Sequence, residues 1–225
     1  AYGGFLNSVD AYNMTLVRST PSVLSEERHD LAATTVGDYA LFGGGNSDKG
    51  NSSTVDAYSA YLVRSSPTPL SNVRFSLAAT TVGGYGLFGG GLYGGGAIER
   101  RTVDAYSETL VRSTPTALSQ EKGSLAATTV GNYGLFGGGV YGQRVLSTVD
   151  AYTIFLARST PTPLSEARYA FAATAIAGYA LFGGGATASS ITSKVDAYSA
   201  SLVRTTPAPL SQMRGNLAAT TVGEY

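Results

Sequence analysis

The 225-residue sequence has no cysteine, no tryptophan, a single histidine and only 13% charged residues. Without a thiol there is no disulfide, no thiolate metal site and no cysteine nucleophile. The lone imidazole, His29, has no second His or Cys with which to hold a metal, and neither a metal nor another cofactor is expected. Fifteen Lys plus Arg balance fifteen Asp plus Glu. That balance removes the broad positive field that nucleic acid or an anionic membrane would need, so neither is an expected partner. No apolar run approaches the roughly 20 residues that span a bilayer. The chain opens at Ala1 rather than Met, without a charged-then-apolar leader pattern, as expected of a processed or excised segment.

What the sequence does have is repetition. Val-Asp-Ala-Tyr recurs at Val9, Val55, Val103, Val149 and Val195, at spacings of 46, 48, 46 and 46 residues. A period of this length belongs to solenoids, propellers or arrays whose units share a continuous core, so residues 1–225 are read as one domain, expected to be monomeric. Each period holds four short β-type runs. In the copy around Asp56 they are residues 31–36, 39–42, 54–58 and 62–66, with Gly37-Asp38 as a hairpin turn and Pro67 and Pro69 ending the last run. A helical reading fails, because no segment keeps an apolar i, i+3, i+4, i+7 pattern. Four antiparallel strands in a unit of this length make a propeller blade.

The first run is Leu-Ala-Ala-Thr or Phe-Ala-Ala-Thr in every copy, small enough for the crowded centre where sheets converge. Tyr39, Phe42, Tyr58 and their equivalents put rings in the second and third runs, where blades diverge and volume must be filled. The triple glycine beginning at Gly43, Gly89, Gly137 and Gly183 reads as close backbone approach or positive φ. The tail stops at Tyr225, where a second run would begin, and Ala1 to Phe5 reads as the missing end of that run. The expected fold is therefore an all-β, five-bladed β-propeller of four-stranded antiparallel blades. Its composite blade joins 215–225 to 1–24 by pairing of the termini, and the others span 25–70, 71–118, 119–164 and 165–210. Such closure leaves no open sheet edge.

The first run, then Tyr-Gly-Leu-Phe-Gly-Gly from Tyr85 to Gly90, then Val-Asp-Ala-Tyr from Val103 to Tyr106, resembles the kelch repeat along the whole chain. The resemblance implies a propeller. One departure is the missing Trp of the fourth kelch strand, whose place is held by Leu62-Val63-Arg64 and its copies. The regular Thr-Pro-Thr-Pro-Leu-Ser wording is similar to kelch-type arrays of bacterial or phage surface and tail proteins, which implies an extracellular or virion surface.

Three residue sets are candidates for interaction. An Arg follows each repeated Asp by eight residues, giving Asp10/Arg18, Asp56/Arg64, Asp104/Arg112, Asp150/Arg158 and Asp196/Arg204. A three-residue loop would place Tyr58 opposite Leu62 and Asp56 directly opposite Arg64, so these are expected as structural cross-strand ion pairs. A cation also stands three residues before each first run: Arg28, Arg74, Lys122, Arg168 and Arg214. Around a channel mouth these five could hold a carboxylate, sulfate or phosphate. As framework residues they would instead bond loop carbonyls of their own or the next blade.

The third set lies where the copies disagree. The loop after the triple glycine varies, as does the link into each first run: His29-Asp30, Phe75-Ser76, Gly123-Ser124, Tyr169-Ala170 and Gly215-Asn216. Tracing the strands puts both loop sets on one face. His29, Phe75, Tyr169, Tyr93, Tyr141 and Arg144 supply aromatic and donor groups there, suited to a glycan or a protein surface; solvated tips free to drift would look the same. No catalytic residue is expected. A glycosidase needs paired carboxylates, and the inner runs hold none. The leading expectation is a noncatalytic, lectin-like binding module; the alternative is a structural spacer or display scaffold.

Overall fold

The computed structural model describes residues 6–94 and 98–222, without the side chains of Ile98 and Glu99. It is an all-β propeller, and no helix occurs among the described residues. The first complete blade pairs Ala32–Val36, Tyr39–Gly43, Val55–Ser59 and Arg64–Ser65 in that spatial order, inside to outside. The next three repeat it with inner strands Ala78–Val82, Ala126–Val130 and Ala172–Ile176. Beyond the fourth blade, Thr221 bonds to Thr174 and Ala175 of its inner strand, and ahead of the first blade the hairpin Ala11–Tyr12 with Arg18–Ser19 is tied to it by Tyr58 donating to the Ser22 carbonyl, as the inner and outer parts of a fifth blade would be. The closing strand expected from Ala1–Phe5 and Tyr225 lies outside the described residues.

The small inner residues let the strands approach the axis. There, Thr34 and Thr81 hydroxyls stand 2.8 Å apart, Thr80 and Thr129 2.7 Å, and Thr174 and Thr221 2.8 Å, each pair joining successive blades. At the opposite end of the inner strands, one hollow of about 250 Å³ is lined by Asp30, Ser76, Ser124, Ala170 and Asn216 together. Convergence of these five equivalents on one hollow shows that the repeats come round an axis. Each of them has φ between 50° and 53°, and successive members are bonded N–H to carbonyl at 2.8 to 3.2 Å.

Between blades the core is aromatic. Phe88 and Tyr106 meet edge to face with centroids 5.9 Å apart, and both pack on Leu41, Val55 and Ala57 of the preceding blade. The triple glycine serves both expected purposes. A Cβ on Gly43 would lie 2.8 Å from Phe88 Cε1, whereas Gly44 and Gly45 take φ of 71° and 111°. Exposure of the buried Tyr106, Tyr152 and Tyr198 is 0%, but the equivalent Tyr12 is 66% exposed.

One expectation is corrected. In the outer hairpin Tyr58 pairs with Arg64 and Ala57 with Ser65, so Asp56 does not face Arg64 directly. The loop does contain three residues, yet it is closed by Ser59 and Val63 (N to O, 3.0 Å) one position further along the strand. Leu62 makes this turn with φ of 60°, as do Leu16, Leu110, Leu156 and Leu202 within a few degrees. Leu110, Leu156 and Leu202 pack against the inter-blade cores, and that burial offsets the left-handed strain.

Candidate functional site

The repeated cations are not a ring at the channel mouth. Arg74 is fully buried, its Nη2 2.6 Å from Asp104 Oδ2, and it donates to the carbonyls of Thr102 (2.7 Å) and Phe88 (3.2 Å). Arg28 with Asp56 (2.6 Å), Lys122 with Asp150 (2.8 Å) and Arg168 with Asp196 (2.7 Å) repeat this arrangement. Physically, a guanidinium taken out of water needs a carboxylate and further acceptors; the third strand supplies the carboxylate, and carbonyls of the second strand and of the residue before the third supply the rest. These side chains are framework and cannot also hold a ligand. Arg214 differs: it is exposed, with Nη2 3.5 Å from the Ser211 hydroxyl.

The same aspartates receive the outer arginines. Despite the shifted register, Arg64 reaches Asp56 at 2.9 Å, Arg158 reaches Asp150 at 3.0 Å and Arg204 reaches Asp196 at 3.0 Å, by a diagonal contact. Arg112 stands 3.6 Å from Asp104, and Arg18 3.5 Å from Asp10 at half-exposed side chains. Each buried carboxylate thus sits between two cations. Ser25 and Ser71 also donate to Asp56 and Asp104 through amide and hydroxyl. Burial raises the pKa of the neighbouring Tyr106, Tyr152 and Tyr198 hydroxyls, and the adjacent carboxylates add to it. They remain neutral donors to the carbonyls of Thr68, Thr116 and Thr162 at 2.7 to 2.8 Å.

The variable segments do share one face, and they are bonded to each other there. His29 bridges Asn46, Phe75 bridges Leu92, Gly123 bridges Val140, and Tyr169 bridges Ala186. Small hairpins extend three of these loops, at Asn46–Ser47 with Gly50–Asn51, Leu92–Tyr93 with Ile98–Glu99, and Val140–Tyr141 with Arg144–Val145. His29 Nδ1 lies 3.0 Å from Asp30 Oδ2, so this imidazole is engaged by its own neighbour. His29, Phe75 and Tyr169 belong to different blades, each bridged to its own loop.

Among the sequence candidates, Tyr141 and Arg144 do converge. They pair across their hairpin and line a hollow of about 270 Å³ with Arg101, Gln120, Glu121 and Leu146. Nearby, the Arg100 guanidinium lies 4.7 Å from the centre of the Tyr93 ring, a cation–π contact. Of fifteen Lys and Arg, only Lys49, Arg100, Arg101, Arg144 and Lys194 fall outside the two repeated sets. Three of these five gather at the boundary of the second and third complete blades. Sequence reasoning missed Arg101, Gln120 and Glu121. The signal for Arg101 was available, because Ser53, Ser147 and Ser193 hold its position in the other copies.

The chain matches no known family model, and no curated protein matches it.

Proposed function

We propose that this kelch-like propeller is a noncatalytic recognition module that binds a glycan or protein surface through its variable face. The supporting observation is a division of labour. Repeated charges are consumed in buried latches, whereas Arg101 and Arg144 belong to neither repeated set of cations and open with Tyr141 onto one hollow. Rigid scaffold with variable loops is the usual arrangement for recognition. Of the residues lining the axial hollow, Asp30 is the one carboxylate, which gives a glycosidase reading no acid–base pair at that mouth.

The test is a glycan array and a protein pull-down with the purified chain, run beside a variant in which residues 140–145 are replaced by residues 186–191. The proposal expects binding that this replacement lowers about tenfold or more. Binding unaffected by replacement of any variable loop would overturn it and leave a structural spacer.

A further inference from the structure

We infer that the hollow beneath Tyr141 and Arg144 takes a sugar residue carrying an anionic group, a carboxylate or a sulfate; this rests on the recognition reading and specifies its ligand. The repeat itself acts as the control. At the position of Glu121 the other copies have Glu27, Val73, Ala167 and Met213, and at that of Arg101 three have Ser. Neither charge is demanded by the blade. The boundary of the second and third blades alone combines Arg101, Glu121 and Arg144 around one space.

Their chemistry is mixed in a particular way. Arg101, Arg144 and Glu121 line the same hollow without forming an ion pair with one another among the described residues. The two guanidinium groups therefore offer planar pairs of donors suited to carboxylate or sulfate oxygens. Glu121 can only accept, and Gln120 can donate through its amide while its Oε1 accepts from Thr148 at 3.4 Å. Acceptors beside an anion site fit the hydroxyls of a sugar ring, and the exposed face of Tyr141 fits its C–H surface. A bare inorganic anion has no hydroxyl to donate to Glu121 and no C–H surface to lay on Tyr141. The volume of about 270 Å³ lies just under the range of roughly 300–1,000 Å³ for drug-sized ligands, which suits one ring rather than a long chain segment.

The experiment is an amide-resolved NMR titration of the whole chain with methyl glucuronide, glucose 6-sulfate, methyl glucoside and sodium sulfate. The inference expects shifts at residues 100–101, 119–121 and 141–146, with one anionic sugar bound about tenfold more tightly than the neutral glucoside. Which of the two anionic sugars wins identifies the carboxylate or the sulfate. Arg101→Gln with Arg144→Gln should weaken that binding about tenfold while leaving the urea midpoint unchanged. Equal binding of methyl glucoside, sulfate binding as well as the sugars, no binding of either anionic sugar, or insensitivity to the double variant would each overturn the inference. The recognition reading survives these results if ligands from the array still shift the variable-face loops, and falls with the inference if they shift only the opposite face.

Discussion

Arg74 and Asp104 are joined at 2.6 Å with both side chains fully buried, while the amide of Arg74 is held at 3.0 Å by the Ser52 carbonyl of the preceding blade. The linker thus belongs by its backbone to the blade it leaves and by its side chain to the blade it enters. A buried ion pair of this kind gives little net stability over apolar packing, but losing one partner strands the other. Its effect is to fix how one wedge sits on the next.

The third latch, Lys122 with Asp150, is the most loosely bonded version of this contact. Lys122 Nζ reaches the Phe136 and Thr148 carbonyls at 3.4 and 3.2 Å, where Arg74 donates to its two carbonyls at 3.2 and 2.7 Å. Lys122→Arg is expected to raise the unfolding free energy by about 0.5–1.5 kcal/mol, one improved charged hydrogen bond. Urea denaturation of the two proteins measures it.

A gap in the threonine ladder yields a gain of function in packing. Thr34 meets Thr81 and Thr80 meets Thr129, but the residue placed to meet Thr128 is Ala175. A hollow lies beside Ala175. Ala175→Thr is expected to add a hydroxyl contact between the third and fourth blades and about 0.5–1 kcal/mol. The readout is the thermal midpoint.

Two glycines at the same repeat position should respond differently to one methyl group. A Cβ on Gly89 would stand 2.7 Å from Phe136 Cε1, but on Gly183 the nearest described atom is Val195 Cγ2 at 3.7 Å. Gly89→Ala is expected to lose about 1–3 kcal/mol by overpacking, and Gly183→Ala less than about 0.5 kcal/mol. Paired urea titrations separate the two.

Acid should act through the same carboxylates. Burial pushes the Asp150 carboxyl up, but Lys122 and Ser119 outweigh it and hold the group below its usual 3.8. The unfolded chain therefore takes up this proton first. The stability contributed by the pair is fully present above about pH 4 and is lost as pH falls through the folded value. Asp150→Asn should flatten the acid limb of stability between about pH 4 and 2, followed by urea midpoints across that range.

The fold was legible because it is written repeatedly: Ala-Ala-Thr could only be innermost, and the period placed Tyr39, Phe42 and Tyr58 between blades. Pairing of Asp56 with Arg64 was legible as well, though its register was not, since a left-handed Leu62 shifts the turn by one residue. The site was harder. Arg28, Arg74, Lys122 and Arg168 were legible as framework residues bonding carbonyls as well as a possible ring at the mouth, but only three-dimensional placement shows the carboxylates behind them. Arg101 was read as the end of the variable loop after the triple glycine without being singled out, and Glu121 escaped notice because it sits in an otherwise regular segment, where a single departure is hidden by the repeat around it.

The most direct test is a double-mutant cycle on Arg74→Gln and Asp104→Asn, read by urea denaturation. If the repeated cations are inter-blade latches, each single change should lose about 3–5 kcal/mol and the double change much less than their sum, a coupling of about 1.5 kcal/mol or more. Losses that add within about 0.5 kcal/mol would contradict the latch.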